Sequence, residues 1–319
     1  MQEIETAPAI GVEIGGTKLQ SAVVASGGEL LVRRSGSVDA GAGADRLRAV
    51  LAEQVAGLLG DWRADPRFEP PRAVGIGFGG PVHRDRGTVA ASFHVSGWNG
   101  FPLARWMGEH AGGLPVLLEN DSNAAALAEA TVGAGRGLRR VFYSNSGSGI
   151  GGGFVVDGRL YHGRGPGEME IGHLRLGIDG GILEDVASGW AIDRGAREEA
   201  AAHPDGAIAR LSAGGPATAR HVAAAAAAGD EAAGRILDGA ARHYALAMSH
   251  VVHLLNPDVI VLGGGVAGIG PPWRDRVRGF LADNLMETLR PGPDVRLAAL
   301  GQDVVPVGAA LAALACAAA

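Results

Sequence analysis

"IGVEIGGTKLQSAVVASGGEL", residues Ile10–Leu30, decides how the rest of the chain is read. An apolar run leads into a Gly-Gly-hydroxyl turn at Gly15, Gly16 and Thr17. A second apolar run follows, then a second glycine turn and Leu30. Glycine admits backbone conformations closed to other residues, and the β-branched residues on either side favour pleated strands. This pattern predicts a β-hairpin, with a third strand over Glu29–Gly36. The same layout returns in "VFYSNSGSGIGGGFVVDGRL", Val141–Leu160. One device used twice predicts two related α/β halves.

Outward from these hairpins, a helical period covers Ala44–Leu59, and "AVGIGFGG" (Ala73–Gly80) predicts a buried strand. "LPVLLEN" (Leu114–Asn120) is another strand that runs into a helix. Asp121 or Ser122 is expected to cap that helix, and Gly133 to end it. Ala-rich helices fill Trp190–Leu255. "NPDVIVLGGGVAG" adds a strand and a glycine turn, and Val304–Ala319 reads as a closing helix.

The net charge of −6 over 319 residues gives no basic footprint for a nucleic-acid partner. The start, "MQEIETAPAIGVEI", lacks a basic segment followed by a long apolar one, so no signal peptide is expected. The longest uncharged stretch, Val304–Ala319, is shorter than the roughly 20 residues of a membrane span. A cytoplasmic protein with no membrane partner is the expectation. The single cysteine, Cys316, permits neither an intrachain disulfide nor a cysteine-cluster zinc site. Of 28 basic residues only Lys18 is lysine. A compact ammonium kept within "EIGGTK" does what an arginine fork does not.

Three glycine clusters follow strands: Gly15-Gly16, Gly147–Gly153 and Gly263–Gly265. Phosphates need backbone N–H groups at close range, which side chains obstruct. Two stretches match GxGxxG, "GIGFGG" (Gly75–Gly80) and "GSGIGG" (Gly147–Gly152). Pro81 follows the first and a strand the second, where a dinucleotide site requires a helix. Lys18 lacks the GxxxxGK context of a P-loop. Hairpin phosphate loops remain, with Thr17 and Ser148 as the hydroxyls at their tips. In "EMEIGHLRLGIDGGILED" (Glu168–Asp185) one histidine, His173, stands among carboxylates. Metal site, acid/base pair and solvated surface are all open at this point.

"EIGGTK", "GWNGFPL", "NDSNAAALAE", "SGSGIGGG", "EIGH" and "NPDVIVLGGGVA" occur in the order found in the ROK family (repressor, open reading frame, kinase), and the chain resembles its glucokinase- and fructokinase-like members throughout its length. The resemblance implies an α/β, actin/hexokinase-like (ribonuclease H-like) fold of two domains, with ATP and sugar meeting in a cleft. A small domain would take residues 1–119 together with the closing helix over 300–319, and a large one residues 120–299. The family's repressors carry an N-terminal helix-turn-helix, for which a first strand near residue 9 leaves no room.

By the same resemblance Asp121 is the catalytic base and Asn120 contacts the sugar. A primary hydroxyl needs a carboxylate to accept its proton as the γ-phosphoryl arrives, and a helix N-terminus keeps that carboxylate ionised. Glu13, Gly15, Gly16, Thr17 and Lys18 match the first phosphate loop, with Glu13 serving Mg²⁺ through water where the family commonly has Asp. Gly147, Ser148 and Gly149 match the second loop, and Gly263, Gly264 and Gly265 the adenosine loop. Gly80, His94, Glu170, His173 and Glu184 face the sugar. His94 stands where relatives usually have Asn, which bears on the choice of sugar. Trp98 is expected in the core. Many relatives hold zinc between "EIGH" and "GCxE"; here "GIDGGILE" has no cysteine, so no structural zinc is expected, and Glu168, Asp179 and Asp185 read as solvated charges. An ATP- and Mg²⁺-dependent hexose kinase follows, glucose-like, commonly dimeric in its family. The alternatives are a sugar sensor without turnover, an N-acetylhexosamine kinase, and a kinase with a polyphosphate donor.

Overall fold

The structure, a computed structural model, describes residues 7–16, 18–37, 41, 43–63, 69–93, 95–167 and 169–318. Thr17, His94 and Glu168, each given a role above, lie outside the described residues.

The first hairpin forms as its pattern dictates. β1 (Ala9–Ile14) pairs antiparallel with β2 (Lys18–Val24), Ile14 opposite Leu19, and β3 (Leu30–Ser37) returns along β2. After α1 (Gly43–Arg63), β4 (Val74–Phe78) runs parallel to β1. A short ribbon, β5 (Val82–His83) with β6 (Thr88–Val89), and α2 (Leu103–His110) lead to β7 (Val116–Asn120), parallel to β4, and to α3 (Asp121–Thr131). The sheet order is β3-β2-β1-β4-β7.

The second half repeats this order. β8 (Arg140–Ser146), β9 (Ile150–Val156) and β10 (Arg159–Leu160) form the meander. The helices α4 (Leu183–Ala187), α5 (Gly189–Ala202), α6 (Ala207–Ser212), α7 (Ala219–Ala227) and α8 (Glu231–Leu255) come before β11 (Val259–Gly263), which is parallel to β8. α9 (Gly264–Ala267) and α10 (Pro271–Asp283) precede β12 (Asp294–Leu297), parallel to β11. The order β10-β9-β8-β11-β12 matches the first sheet strand for strand. The duplicated hairpin is therefore the visible part of a duplicated sheet.

The chain closes with α11 (Val304–Ala317), which packs on β1, β4 and α3. Glycines let the backbones touch there. A Cβ on Gly75 would stand 1.8 Å from Ala309 O, and one on Gly308 1.7 Å from Ala124 O. Gly77, two residues on and on the same strand face, sits under Val305. The glycines of "GIGFGG" thus serve close helix packing, which explains a GxGxxG spelling with no dinucleotide loop. On the sheet's other side, Trp98 is buried as expected and meets Phe78 and Phe101 edge-on at 5.6 and 5.7 Å.

Two compact units result. One comprises Met1–Arg139, Gly153–Glu168 and Ala299–Ala319; the other comprises Arg140–Gly152 and Met169–Ala298. The unit with the first sheet reaches past residue 119 to take in α3, because α3 packs on α11. Among the described residues, no helix is long and apolar enough to cross a membrane.

Candidate active site

In the first unit, three strand ends converge. The β1–β2 turn closes with Gly15 N donating to Lys18 O at 2.9 Å. At the end of β4, Gly79 N donates to Ile14 O at 2.8 Å. A Cβ on Gly79 would lie 3.4 Å from both Gly15 Cα and an Asp121 carboxylate oxygen. Gly79 is therefore the narrow point between the expected phosphate loop and the expected base. Its place in a strand-end glycine pair was a signal, but the sequence reading assigns a role only to Gly80.

β7 delivers Asn120 and Asp121 to the start of α3. The spacing predicts Asp121 or Ser122 as the cap; the cap is Asn120. Its extended backbone lets Oδ1 accept from Ser122 N (2.8 Å) and Asn123 N (3.1 Å), while Nδ2 donates to Gly80 O at 3.3 Å. Capping by Asn120 leaves Asp121 in the first helical turn. There its carboxylate accepts from the Ser122 amide at 2.7 Å and hydroxyl at 3.3 Å. An anion at a helix N-terminus is stabilised by the unsatisfied N–H groups and the dipole.

Glu13 and Lys18 face each other across the β1–β2 turn, with Nζ 2.9 Å from Oε2. Lys18 also donates to Gln302 O at 2.6 Å. Burial pushes the Glu13 carboxyl up; Lys18 pulls it back, and Asp303 adds to the rise. Gln20 and Arg33 in turn hold Asp303, at 2.6 and 2.9 Å.

In the second unit, the β8–β9 turn is bonded on two sides. Gly189 N donates to Gly147 O at 2.7 Å, and Ile150 N donates to Glu184 Oε2 at 2.8 Å. A Cβ on Gly149 would meet that carboxylate oxygen at 2.4 Å, so any side chain there would push the Glu184 carboxylate aside. Glu184, expected at the sugar, thus braces the β8–β9 turn. Glu170 precedes the 3-10 turn Ile171–His173 and His173 ends it, with His173 N donating to Glu170 O at 3.1 Å; His173 is exposed and Glu170 half-buried.

The segment that carries no cysteines closes as a small ladder of its own. Leu183 N donates to Leu174 O at 2.9 Å and Leu176 N to Gly181 O at 3.3 Å, with a turn over Gly177–Gly180. Asp179 and Asp185 point into solvent. Among the described residues, no group of three or more His, Cys, Asp or Glu stands ready for a metal ion.

A cavity of about 850 Å³ lies in this unit, lined by Gly147, Ser148, Trp190, Asp193, Arg220 and Gly265 among others. Its size falls within the range of ligand pockets. Gly264 backs directly on Ser146, which brings the second and third glycine loops together. Asp193 accepts from Ala219 N at 2.6 Å and so joins α5 to the start of α7. Trp190 is 56% exposed beside the cavity. The sequence reading misses both, because nothing in Trp-x-x-Asp marks a pocket wall until α5 and α7 meet.

The comparisons with known proteins agree with this architecture. The ROK family's sequence profile matches residues 9–315. A glucokinase of Halalkalibacterium halodurans is 30% identical, over 94% of this chain and 92% of its own. One from Streptomyces coelicolor is 33% identical, over 94% and 96%. A ROK family glucokinase from Streptomyces griseus, solved in complex with glucose and AMPPNP, superposes with a TM-score of 0.84. It is 32% identical and covers 96% of this chain and 99% of its own. The fold is the actin/hexokinase-like one expected from the motifs. The chain belongs to the ROK family.

Proposed function

We propose that the chain is an ATP-dependent kinase of a glucose-like hexose, with Asp121 as the base at the sugar's primary hydroxyl. The observation that carries this reading is the placement of Asp121, held in the first turn of α3 by Ser122 and set there by the Asn120 cap. The glucokinases that match over nearly the whole chain support it. As the hydroxyl oxygen bonds to the γ-phosphorus, its proton passes to Asp121. The bond to the β–γ bridging oxygen breaks, and ADP leaves with that electron pair.

The cavity beside Gly147, Ser148 and Gly265 suits a nucleoside, with backbone N–H groups of the glycine turns toward the phosphates. Glu13 is a hard oxygen donor at the first turn, suited to the water shell of a magnesium ion. Such an ion supplies neutralisation of the phosphate charge. Asn120, Gly80, Glu170, His173, Glu184 and His94 are assigned to the sugar. The same reading has the chain working in the cytoplasm as a homodimer, which light scattering on the purified protein tests.

An ADP-release assay over glucose, mannose, fructose and N-acetylhexosamines tests the activity. Turnover is expected on a glucose-like hexose, and Asp121→Asn should lower kcat by about 100-fold or more. No turnover on any sugar, or full activity in Asp121→Asn, overturns the reading.

A further inference from the structure

Glu119 immediately precedes the Asn120–Asp121 turn and is 1% exposed. A carboxylate so buried requires donors on both oxygens. Oε1 accepts from Asn120 N and from Asn123 Nδ2, each at 3.0 Å. These donors belong to the turn and to the first turn of α3. Oε2 faces the other way, toward His162 Nε2 at 2.8 Å and Arg84 Nε at 3.3 Å. His162 follows β10, and Arg84 sits in the turn between β5 and β6. One side chain therefore ties the Asp121 turn to two segments distant in sequence.

Asn120 N, Asn123 Nδ2 and Arg84 Nε can only donate to Glu119. An ionised carboxylate only accepts, so the His162 ring nitrogen facing it is the protonated one. The two anchors differ in weight. Arg84 is 44% exposed and its contact is long, so solvent screens it. His162 is more enclosed, at 29%, and its contact is short. Chemistry at a hydroxyl tolerates little misplacement of its base; about 1 Å can cost about 100-fold.

We infer that Glu119, anchored by His162 and in lesser part by Arg84, is the positioning residue for the Asn120–Asp121 turn. This rests on the reading of Asp121 as base. His162 acts through its Nε2–H: it holds Oε2, which leaves Oε1 aimed at Asn120 N and the Asn123 amide.

His162→Ala removes the donor. His162→Gln returns an amide N–H at nearly the same reach. Two measurements on the full chain decide the matter: steady-state kinetics, and amide hydrogen exchange over residues 119–124. His162→Ala is expected to lower kcat about tenfold, leave KM for ATP unchanged and speed exchange in 119–124. His162→Gln should restore most of both, and Arg84→Ala should show a smaller loss. Wild-type kcat and exchange in His162→Ala would overturn the inference. Equal impairment in His162→Ala and His162→Gln would overturn it too, since ring packing and not the donor would then matter. If the wild-type chain phosphorylates no sugar, the kinase reading fails by itself, and the exchange measurement still decides whether His162 holds the turn.

Discussion

Glu129, wholly buried in α3, accepts the backbone N–H of Leu300 at 3.0 Å from within the same carboxylate that takes Ala299 N at 3.0 Å and Ala134 N at 2.7 Å. The helix that carries Asp121 in its first turn is thus fastened, further along, to the segment leading into α11. Glu129→Gln puts an amide N–H₂ where an acceptor is needed and leaves a buried backbone donor facing another donor. A loss of about 2–4 kcal/mol is expected, read as a lowered urea midpoint. An unchanged midpoint would show that the fastening contributes nothing.

Gly75→Ala drives a methyl group into the α11 backbone at Ala309. The carbonyl there belongs to a helix buried along most of its length, so it cannot step aside without moving its neighbours. Destabilisation of at least about 1–3 kcal/mol is expected, with a lower melting temperature. A melting curve equal to wild type would mean that α11 is free to shift.

Glu13 has a defined pH signature. Its carboxyl is raised mainly by burial, so the folded chain holds that proton more tightly than the unfolded one. Such a group contributes stability that is complete below its unfolded value and is lost as pH rises through the folded value. Glu13→Gln cannot titrate. The stability of wild type relative to Glu13→Gln should therefore fall as pH rises above the ordinary glutamate value of 4.5, measured by urea unfolding across a pH series. A difference that stays flat or grows with pH contradicts this.

Trp190 presents its ring at the nucleotide cavity proposed above. Stacking of a base on an aromatic face is worth about 1–3 kcal/mol. Trp190→Ala should raise KM for ATP roughly tenfold, by that measure, and leave KM for the sugar in place. Equal changes in both would point to a general disturbance of α5.

Glu184 supports the β8–β9 turn through Ile150 N and is assigned to the sugar as well. Glu184→Ala should therefore weaken both substrates, each by about tenfold or more, since a charged hydrogen bond is worth roughly 1.5–3 kcal/mol. A rise in the sugar KM alone would confine Glu184 to the acceptor.

How much of this was legible in the letters varied with distance along the chain. The hairpins at Gly15 and Gly147 were plain, because a turn residue and its flanking strands lie side by side. The cap of α3 was not, since Asn120, Asp121 and Ser122 are all good capping residues in a row. Where β7 stops settles it, and that depends on pairing with β4. Glu119 was passed over entirely. Its partners Arg84 and His162 lie far along the chain on either side, and burial gives a carboxylate there its meaning. "GIGFGG" misled in the other direction, as glycine is spelled the same whether it admits a phosphate or a helix.

The contact of α11 with β1 and β4 also sets an order of events during synthesis. The strands of the first sheet leave the ribosome well before the helix that covers one of their faces. Arg140–Gly152 and Met169–Ala298 are complete before that cover exists. Until α11 emerges, the face of the first sheet that it covers lacks that cover, the kind of exposure that chaperones attend to.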